Sequence, residues 1–342
     1  MANGVLTPVP RGIADARVDV IHNGQAYGDV ASRLLANHMN PYALKTNATL
    51  RHEEWMELDT AIQAAILPRL PFVNFMISRG LEYRMRNGLA ATVLAYEDVA
   101  DMNDAEVGMD AAGESLDDRL NFEIKYLPLP CVYKSFSVNI RQLEAGRLNG
   151  APIDTTQASV AAQKVAEKIE QIAICGASSF LYGGGYLRGV LDFDYVNTGS
   201  MVQHWDHSAA TGATILADVL AMKQASLDDG HGGPWVLLVP PAYETHLDED
   251  YSLTTGRTIT IRARLLEVGG IEAILICDKQ TADKVALVEL QPQTFRIVNG
   301  LEPMSVEWDE MGGLRKKFRV LSIMVPQPRA DQANKCGIQV WS

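Results

Sequence analysis

Two histidines, His204 and His207, stand three residues apart and form the most metal-like pattern in the sequence. A zinc site needs three or four ligands at fixed spacing, and no third or fourth ligand follows this pair at such a spacing. A further histidine, His231, lies in the glycine-rich stretch 228–233 and is predicted to occupy a surface turn. These residues therefore favour polar loops over a metal site.

The glycine run Gly183–Gly185 is the second pattern that resembles a binding site. A phosphate-binding loop ends in Gly-Lys-Ser/Thr, and a dinucleotide fingerprint lies between a strand and a helix. This run follows a long helix instead, so it predicts a turn that needs positive φ. The sequence has no G-x-S-x-G, H-E-x-x-H or protein-kinase signature. We therefore predict a protein that is not an enzyme and binds no cofactor.

The composition is that of a globular protein with a marked negative charge. The 342 residues are 47% hydrophobic, which suffices for one large or two medium domains with real cores. A net charge of −12 argues against a dedicated high-affinity nucleic-acid binder and leaves room for loose contact on a local patch. No run of about 18 apolar residues and no signal peptide occur, so the sequence predicts a cytosolic protein without a membrane span.

The cysteines are scattered, and no two of them form a C-x-x-C pair. Each lies in or near an apolar run, which favours buried free thiols over metal ligands or disulfides. The four are Cys131, Cys175, Cys277 and Cys336.

The elements that would position these residues are dominated by one long amphipathic helix. Asp154 is its predicted N-cap, with Gln157 three residues later, and about 20 helical residues span roughly 30 Å. The apolar stripe consists of Ala158, Ala161, Val165, Ile169, Ile172 and Ala173. The predicted polar face consists of Lys164, Glu167, Lys168, Glu170 and Gln171. A helix of this length is the backbone of a larger structure, although periodicity alone also fits an ordinary core helix.

Two segments alternate strictly between apolar and polar residues, 81–86 and 120–126. Paired antiparallel, they would form a ribbon with one apolar face. The stretch 87–118 between them contains nine acidic residues and no Lys or Arg, which predicts an acidic tip. An isolated ribbon is marginal in water, so its apolar face needs a cover, and a neighbouring subunit is the natural one. The alternative is a flexible acidic loop on a hairpin that packs within its own domain.

The remaining segments predict a mixed α+β chain. Residues 1–50 resemble an arm with little capacity to form a core. Further helices are predicted at 51–66, 212–226 and 241–248. Further strands are predicted at 131–140, 235–239, 271–277, 284–290, 304–308 and 318–325. An arm, a protruding ribbon, an oversized helix and no catalytic constellation together indicate a subunit of an assembly.

This order of segments resembles the major capsid proteins of tailed bacteriophages, the Hong Kong 97 fold, and especially its encapsulin-like branch. Three local stretches carry the similarity: Pro128–Phe136, the helix end Val165–Gly176, and Gly189–Phe193. The resemblance implies an N-terminal arm (1–50), an amphipathic helix (51–75), an extended β-hairpin loop (76–127), a peripheral domain (128–205 and 300–342) with a spine helix at about 154–175, and an axial domain (206–299).

The resemblance also implies partners and a location. Subunits of this family form hexamers and pentamers in a closed shell, and some are cross-linked through a loop lysine. No lysine lies between Lys45 and Lys125, so cohesion here is expected to be noncovalent. Scaffolding, portal and decoration proteins remain open as further partners, and packaged DNA is expected to make only non-specific contacts. The implied location is a virion capsid assembled in the host bacterial cytoplasm.

Three functions stay open on the sequence alone. The first is a viral shell around double-stranded DNA, which the additional arm of about 50 residues favours. The second is an encapsulin compartment around an enzyme cargo, and the third is a soluble enzyme. Candidate contacts between subunits are the acidic tip and a basic run that begins the last long strand. The residues are Glu97, Asp98, Asp101, Asp104, Glu106, Asp117, Asp118, Arg315, Lys316, Lys317 and Arg319.

Overall fold

A computed structural model describes residues 52–99, 122–139, 141, 155–251, 259–311, 314–331 and 334–342. The predicted arm and most of the predicted acidic tip lie outside these residues. The described part contains helices α1 His52–Ile66, α2 Pro71–Ser78, α3 Thr156–Cys175, α4 Gly212–Asp228, α5 Glu244–Leu247 and α6 Ile261–Leu266, with 3₁₀ turns at Leu67–Arg69 and Pro241–Tyr243. The mixture of helices and sheets confirms the predicted α+β class.

The strands are β1 Glu82–Arg84, β2 Val93–Val99, β3 Phe122–Pro128, β4 Val132–Asn139, β5 Ala177–Tyr182, β6 Gly185–Leu187, β7 Asn197–Gly199, β8 Trp235–Val239, β9 Ile271–Ile276, β10 Val285–Glu289, β11 Phe295–Glu310, β12 Arg315–Pro328 and β13 Ile338–Trp341. They form a four-stranded sheet, a five-stranded sheet and two two-stranded ribbons. The predicted strands at 304–308 and 318–325 are therefore parts of two much longer strands, β11 and β12.

The four-stranded sheet has the order β1-β11-β12-β4 and packs against the long helix α3. Strands β11 and β12 form a long antiparallel hairpin, and β4 extends it on the far side of β12. Alternate residues such as Phe318 and Val320 face the buried stripe of α3 and the helix α1. The opposite face, with Val298 and Leu321, packs against Leu127 at the base of the ribbon β2-β3.

The five-stranded sheet has the order β7-β13-β10-β8-β9. One of its faces joins the core beneath α3 through residues such as Val236 and Val288. The other face carries Trp235, Leu237 and Leu287 against helices α4 to α6. Strand β13 pairs with β10, so residues 338–341 belong to a sheet built largely from the segment predicted to be axial. The division of the chain into domains stays a prediction.

The predicted long helix is confirmed, with one change at its start. Asp154 lies outside the described residues, and the N-cap position is Thr155, which makes no side-chain capping bond. At the other end, Gly176 has φ of 71° and its N–H bonds to the Ile172 carbonyl. A side chain at this position would also collide with the backbone of Gly189. The glycine therefore ends the helix for both conformational and steric reasons.

The predicted ribbon is present, but one of its strands was assigned wrongly. Strand β3 pairs antiparallel with β2, Val93–Val99, rather than with the segment 81–86. That segment forms only the short strand β1, which pairs parallel with β11. Residues 81–86 instead lie at the edge of the four-stranded sheet, where Leu81 is buried.

The helix predicted at 51–66 is confirmed as α1, and a second helix follows it. The 3₁₀ turn and Pro71 redirect the chain, and the two helical axes differ by 93°. No single helix of the described residues is long and apolar enough to span a membrane, although this bent pair reaches the required length and composition together.

Candidate assembly surfaces

The ribbon β2-β3 has an apolar face that the described residues leave open. Tyr126 and Ile124 lie on this face and are 46% and 55% exposed. Their cross-strand partners are Ala95 and Glu97, which are exposed as well. Large apolar side chains at this exposure are a marker of an interaction surface when they occur as a group. This part of the predicted ribbon is therefore open in the single chain.

The hairpin β5-β6 lies against the ribbon and adds further exposed apolar residues. Its turn at Gly183 and Gly184 has positive φ at both glycines, as the sequence predicted. The turn lies so close to the ribbon that a side chain at Gly185 would overlap the Tyr126 carbonyl. The hairpin contributes four large exposed side chains, Phe180, Leu181, Tyr182 and Tyr186. We call these four residues together with Ile124 and Tyr126 the ribbon–hairpin surface.

The basic run Arg315–Lys317 is less available for contact with a neighbouring subunit than its sequence implies. Lys316 is only 2% exposed and its ammonium group pairs with Asp309 on the neighbouring strand. Lys317 pairs with Glu310 at 2.7 Å. Asp309 lies directly opposite Lys316 in the β11-β12 register, whereas Glu310 lies opposite Arg315 and reaches Lys317 diagonally, so the hairpin neutralises both lysine charges itself. Arg315 remains exposed.

Arg319 is held between two aromatic rings. Its guanidinium carbon lies 4.6 Å from the centroid of Tyr133 and 5.1 Å from that of Trp308. Its Nε donates a hydrogen bond to the Ser135 hydroxyl at 2.9 Å. Stacked guanidinium groups of this kind retain their charge while their faces are covered.

The acidic residues of the predicted contact are only partly described. Glu97 is exposed on β2, and Asp98 lies on the same strand, its side chain outside the described set. Outside the described residues lie Asp101, Asp104, Glu106, Asp117 and Asp118. Contact between the acidic tip and the basic run stays a prediction.

Glu170 is a buried carboxylate that the helical pattern placed wrongly on the polar face of α3. It is 2% exposed, and its two oxygens accept hydrogen bonds from the backbone N–H groups of Phe72, at 2.8 Å, and Val73, at 3.3 Å. Helix α2 has no side-chain cap of its own, so Glu170 caps it from another helix. Burial raises the pKa of Glu170 to about 7, against the opposing effect of these two hydrogen bonds.

His231 is likewise less exposed than predicted. Its Nδ1 lies 2.6 Å from Oε2 of the buried Glu289, which also accepts hydrogen bonds from Thr294 and from the Gly233 N–H. The hydrogen bond to Glu289 raises the pKa of His231. The chain does turn just before His231, as predicted, but the ring is only partly exposed because it pairs with Glu289.

The remaining candidate residues are His204 and the four cysteines. His204 lies 3.3 Å from the Tyr243 hydroxyl, and among the described residues no three metal-ligating side chains cluster. Cys277 and Cys336 are buried as predicted, Cys175 is half-buried, and Cys131 is exposed, which corrects the prediction for that thiol. Cys131 directly precedes the edge strand β4, which leaves its side chain open to solvent.

Comparisons with known proteins agree with this architecture. The structure is similar to a virus-like particle from Pyrococcus furiosus, with a TM-score of 0.60 and 17% identity over 85% of this chain and 100% of that chain. It is also similar to the capsid of Myoviridae phage XM1, with a TM-score of 0.59 and 11% identity over 80% and 91% of the two chains. The chain therefore has the Hong Kong 97 fold, which is a fold of shell-forming proteins.

The sequence comparisons give a family and a relative. The chain belongs to the family of unknown function DUF6260, whose model matches residues 45–331. It is 25% identical to the type 1 encapsulin shell protein EncA of Myxococcus xanthus strain DK1622 over 207 residues. That match covers 60% of this chain and 66% of the encapsulin, just under two thirds of its length.

Proposed function

We propose that this chain is the major capsid protein of a tailed bacteriophage, forming an icosahedral shell of hexamers and pentamers around double-stranded DNA. The observation that carries the proposal is the ribbon–hairpin surface, six large apolar residues that stay open in a chain with a shell-forming fold. Burying them requires a partner, and a second copy of the chain is the partner that a closed shell supplies.

The length of the chain supports a capsid over a compartment. The predicted arm of about 50 residues favours a viral subunit, because a compact encapsulin is expected to begin near the helix at residue 51.

An encapsulin compartment around an enzyme cargo is the second candidate. The relationship to the encapsulin of Myxococcus xanthus favours it, at 25% identity. The two functions share a fold, so the contents of the particle must distinguish them.

The test is to express the chain, isolate particles by gradient centrifugation and image them by electron microscopy. Nuclease-resistant double-stranded DNA inside particles made during infection supports the capsid. Particles that hold a host enzyme and no protected DNA support the encapsulin. A stable monomer at micromolar concentration in all salts, shown by light scattering, contradicts both.

A charge contact between neighbours is part of the proposal. The acidic tip of one subunit would lie over the sheet face that carries Arg315 and Arg319 in the next. Opposite charges of this kind fix register and speed association more than they add affinity. Because Lys316 and Lys317 are already paired within the chain, Arg315 is the cation to substitute. We expect Arg315→Glu to slow assembly at low salt with little effect on folding, measured by light scattering.

A further inference from the structure

Two arginines lie within electrostatic reach of each other where the four-stranded sheet meets the base of the ribbon. Arg296 near the start of β11 has its guanidinium carbon 4.6 Å from the Tyr83 ring centroid. Arg329, just after β12, has its own 5.7 Å from the centroid of Tyr96 on β2. Both side chains are half-buried, and Tyr83 is 39% exposed, so the cluster is open to solvent on one side.

The two positive charges lack a negative partner in the part of the chain that the structure describes. No carboxylate of the described residues lies within ion-pair distance of either guanidinium. Other arginines have such partners, for example Arg79 with Glu272 at 2.6 Å and Arg84 with Glu302 at 2.7 Å. Burial and the nearby charge of Arg329 both lower the pKa of Arg296. The two arginines thus form a local positive pair in a chain of net charge −12.

The cluster also has more hydrogen-bond donors than acceptors. Gln327, the cross-strand neighbour of Arg296, is fully buried, and its Oε1 accepts from Nε of Arg296. The Nε2 of Gln327 has no partner among the described residues. Arg329 donates from Nη2 to the Glu97 carbonyl at 3.0 Å. Both Nη atoms of Arg296 and the Nη1 of Arg329 make no hydrogen bond to a described residue, so these donors remain available to an anion from solvent.

We propose that Arg296, Arg329 and Gln327 form a binding site for a phosphate-type oxyanion. A guanidinium fork matches two oxygens of such an anion, and the stacking on Tyr83 leaves the N–H edge of Arg296 available. A dianion compensates both arginines, whereas a carboxylate compensates only one. The oxygens of the anion would accept from the donors that lack a partner.

The test is calorimetric titration of the full-length protein with inorganic phosphate at constant ionic strength. Acetate, as a planar monoanion, and chloride are the comparison anions. We expect saturable phosphate binding with a Kd on the order of 1 mM or tighter. We expect acetate to bind at least tenfold more weakly, and chloride to show no saturable heat.

Variants connect the binding to the cluster. Arg296→Gln is expected to weaken phosphate binding at least tenfold, and Arg296→Lys, which keeps the charge but loses the fork, to give an intermediate loss. Arg79→Gln removes an arginine that already has a carboxylate partner, and it should bind like the wild type. If Arg296→Gln does not fold by circular dichroism, Arg329→Gln and Arg329→Lys carry the same comparison.

Three results overturn the proposal. They are no saturable phosphate binding by the wild type, acetate binding as tight as phosphate binding, and an equal loss in Arg79→Gln and the cluster variants. None depends on whether the chain forms a shell, because binding is measured in whichever oligomeric state the protein purifies.

Discussion

At the scale of single residues, Glu170 shows how a side chain can link two helices. Its carboxylate is the only side-chain acceptor that the described residues give to the first N–H groups of α2. The negative charge favours the helix N-terminus but loses its hydration on burial. The net result is a group whose pKa lies near neutrality, at about 7.

This shift predicts a pH dependence of stability. Folding raises the pKa of Glu170, so its contribution to the free energy of unfolding is fully present below the pKa that the group has in the unfolded chain. This contribution is lost as the pH rises through about 7. Glu170→Gln removes this pH dependence. Between pH 5 and pH 8 the free energy of unfolding of the variant should therefore rise by on the order of 2 kcal/mol relative to that of the wild type. Urea unfolding at several pH values measures it. The exposed Glu57→Gln is the control, and parallel wild-type and Glu170→Gln curves contradict the prediction.

The buried Lys316 gives a second prediction at this scale. Lys316→Glu would place two carboxylates together in the β11-β12 hairpin, and should lower the free energy of unfolding by about 3–5 kcal/mol. Lys317→Glu changes a half-exposed pair and should cost only about 1 kcal/mol. Chemical denaturation compares the two. Similar losses in both variants would mean that burial does not distinguish these lysines.

The sequence did not reveal that Glu170 and Lys316 are buried. Glu170 lies in helical register with polar residues, and its partners are 97 and 98 residues away in the chain. Lys316 stands in a run of cations that resembles a solvated patch. A periodic pattern reports which face is polar on average, and it contains no information on a distant backbone that needs an acceptor.

At the scale of elements, the sequence predicted the long helix and its glycine end, but not the strand pairing. Strand β2 contains two consecutive acidic residues, Glu97 and Asp98, which obscure its alternation. Residues 81–86 alternate well yet form only a three-residue parallel strand with β11. The pairing of β1 with β11 joins residues more than 200 positions apart in the chain, which local alternation does not encode.

The end of α3 gives a prediction at the element scale. Gly176→Ala adds a Cβ that would meet the Gly189 nitrogen at 2.7 Å, in a backbone with φ of 71°. We expect a loss of about 2–3 kcal/mol in unfolding free energy. Gly230→Ala is the matched control, since it has φ of 88° but nothing within 4 Å, and should cost about 1 kcal/mol. Calorimetric melting measures both, and equal losses would exclude the steric contribution.

At the scale of the whole molecule, the two larger sheets have their faces packed in cores, whereas the ribbon and the hairpin leave apolar side chains exposed. The faces of the two larger sheets contribute to contiguous cores, whereas the ribbon–hairpin surface lies open at one end. The sequence predicted the open face of the ribbon through Ile124 and Tyr126. It did not reveal the four residues of the hairpin, because their exposure depends on where the turn lies against the ribbon.

Charge on this surface is expected to block self-association. Ile124→Glu combined with Tyr126→Glu should leave the thermal melt of the subunit within about 1 kcal/mol in stability, because both side chains are already exposed. Assembly, followed by light scattering and electron microscopy, should fall sharply. Leu220→Glu, which changes a residue that is 45% exposed on α4, is the control. Normal particles from the double variant would place the subunit contacts elsewhere.

The position of β13 has a consequence for how the protein is made. Residues 338–341 lie between β7 and β10, so until this segment has been synthesised β7 has no neighbouring strand and β10 has only β8. On the ribosome, the five-stranded sheet therefore stays incomplete while the spine helix, which lies far earlier in the chain, is already available. Nascent chains stalled after residue 331 should be cleaved by protease in β7 and β10, and the released full chain should resist. Such a delay would keep subunits from joining a growing shell while they are still attached to the polysome.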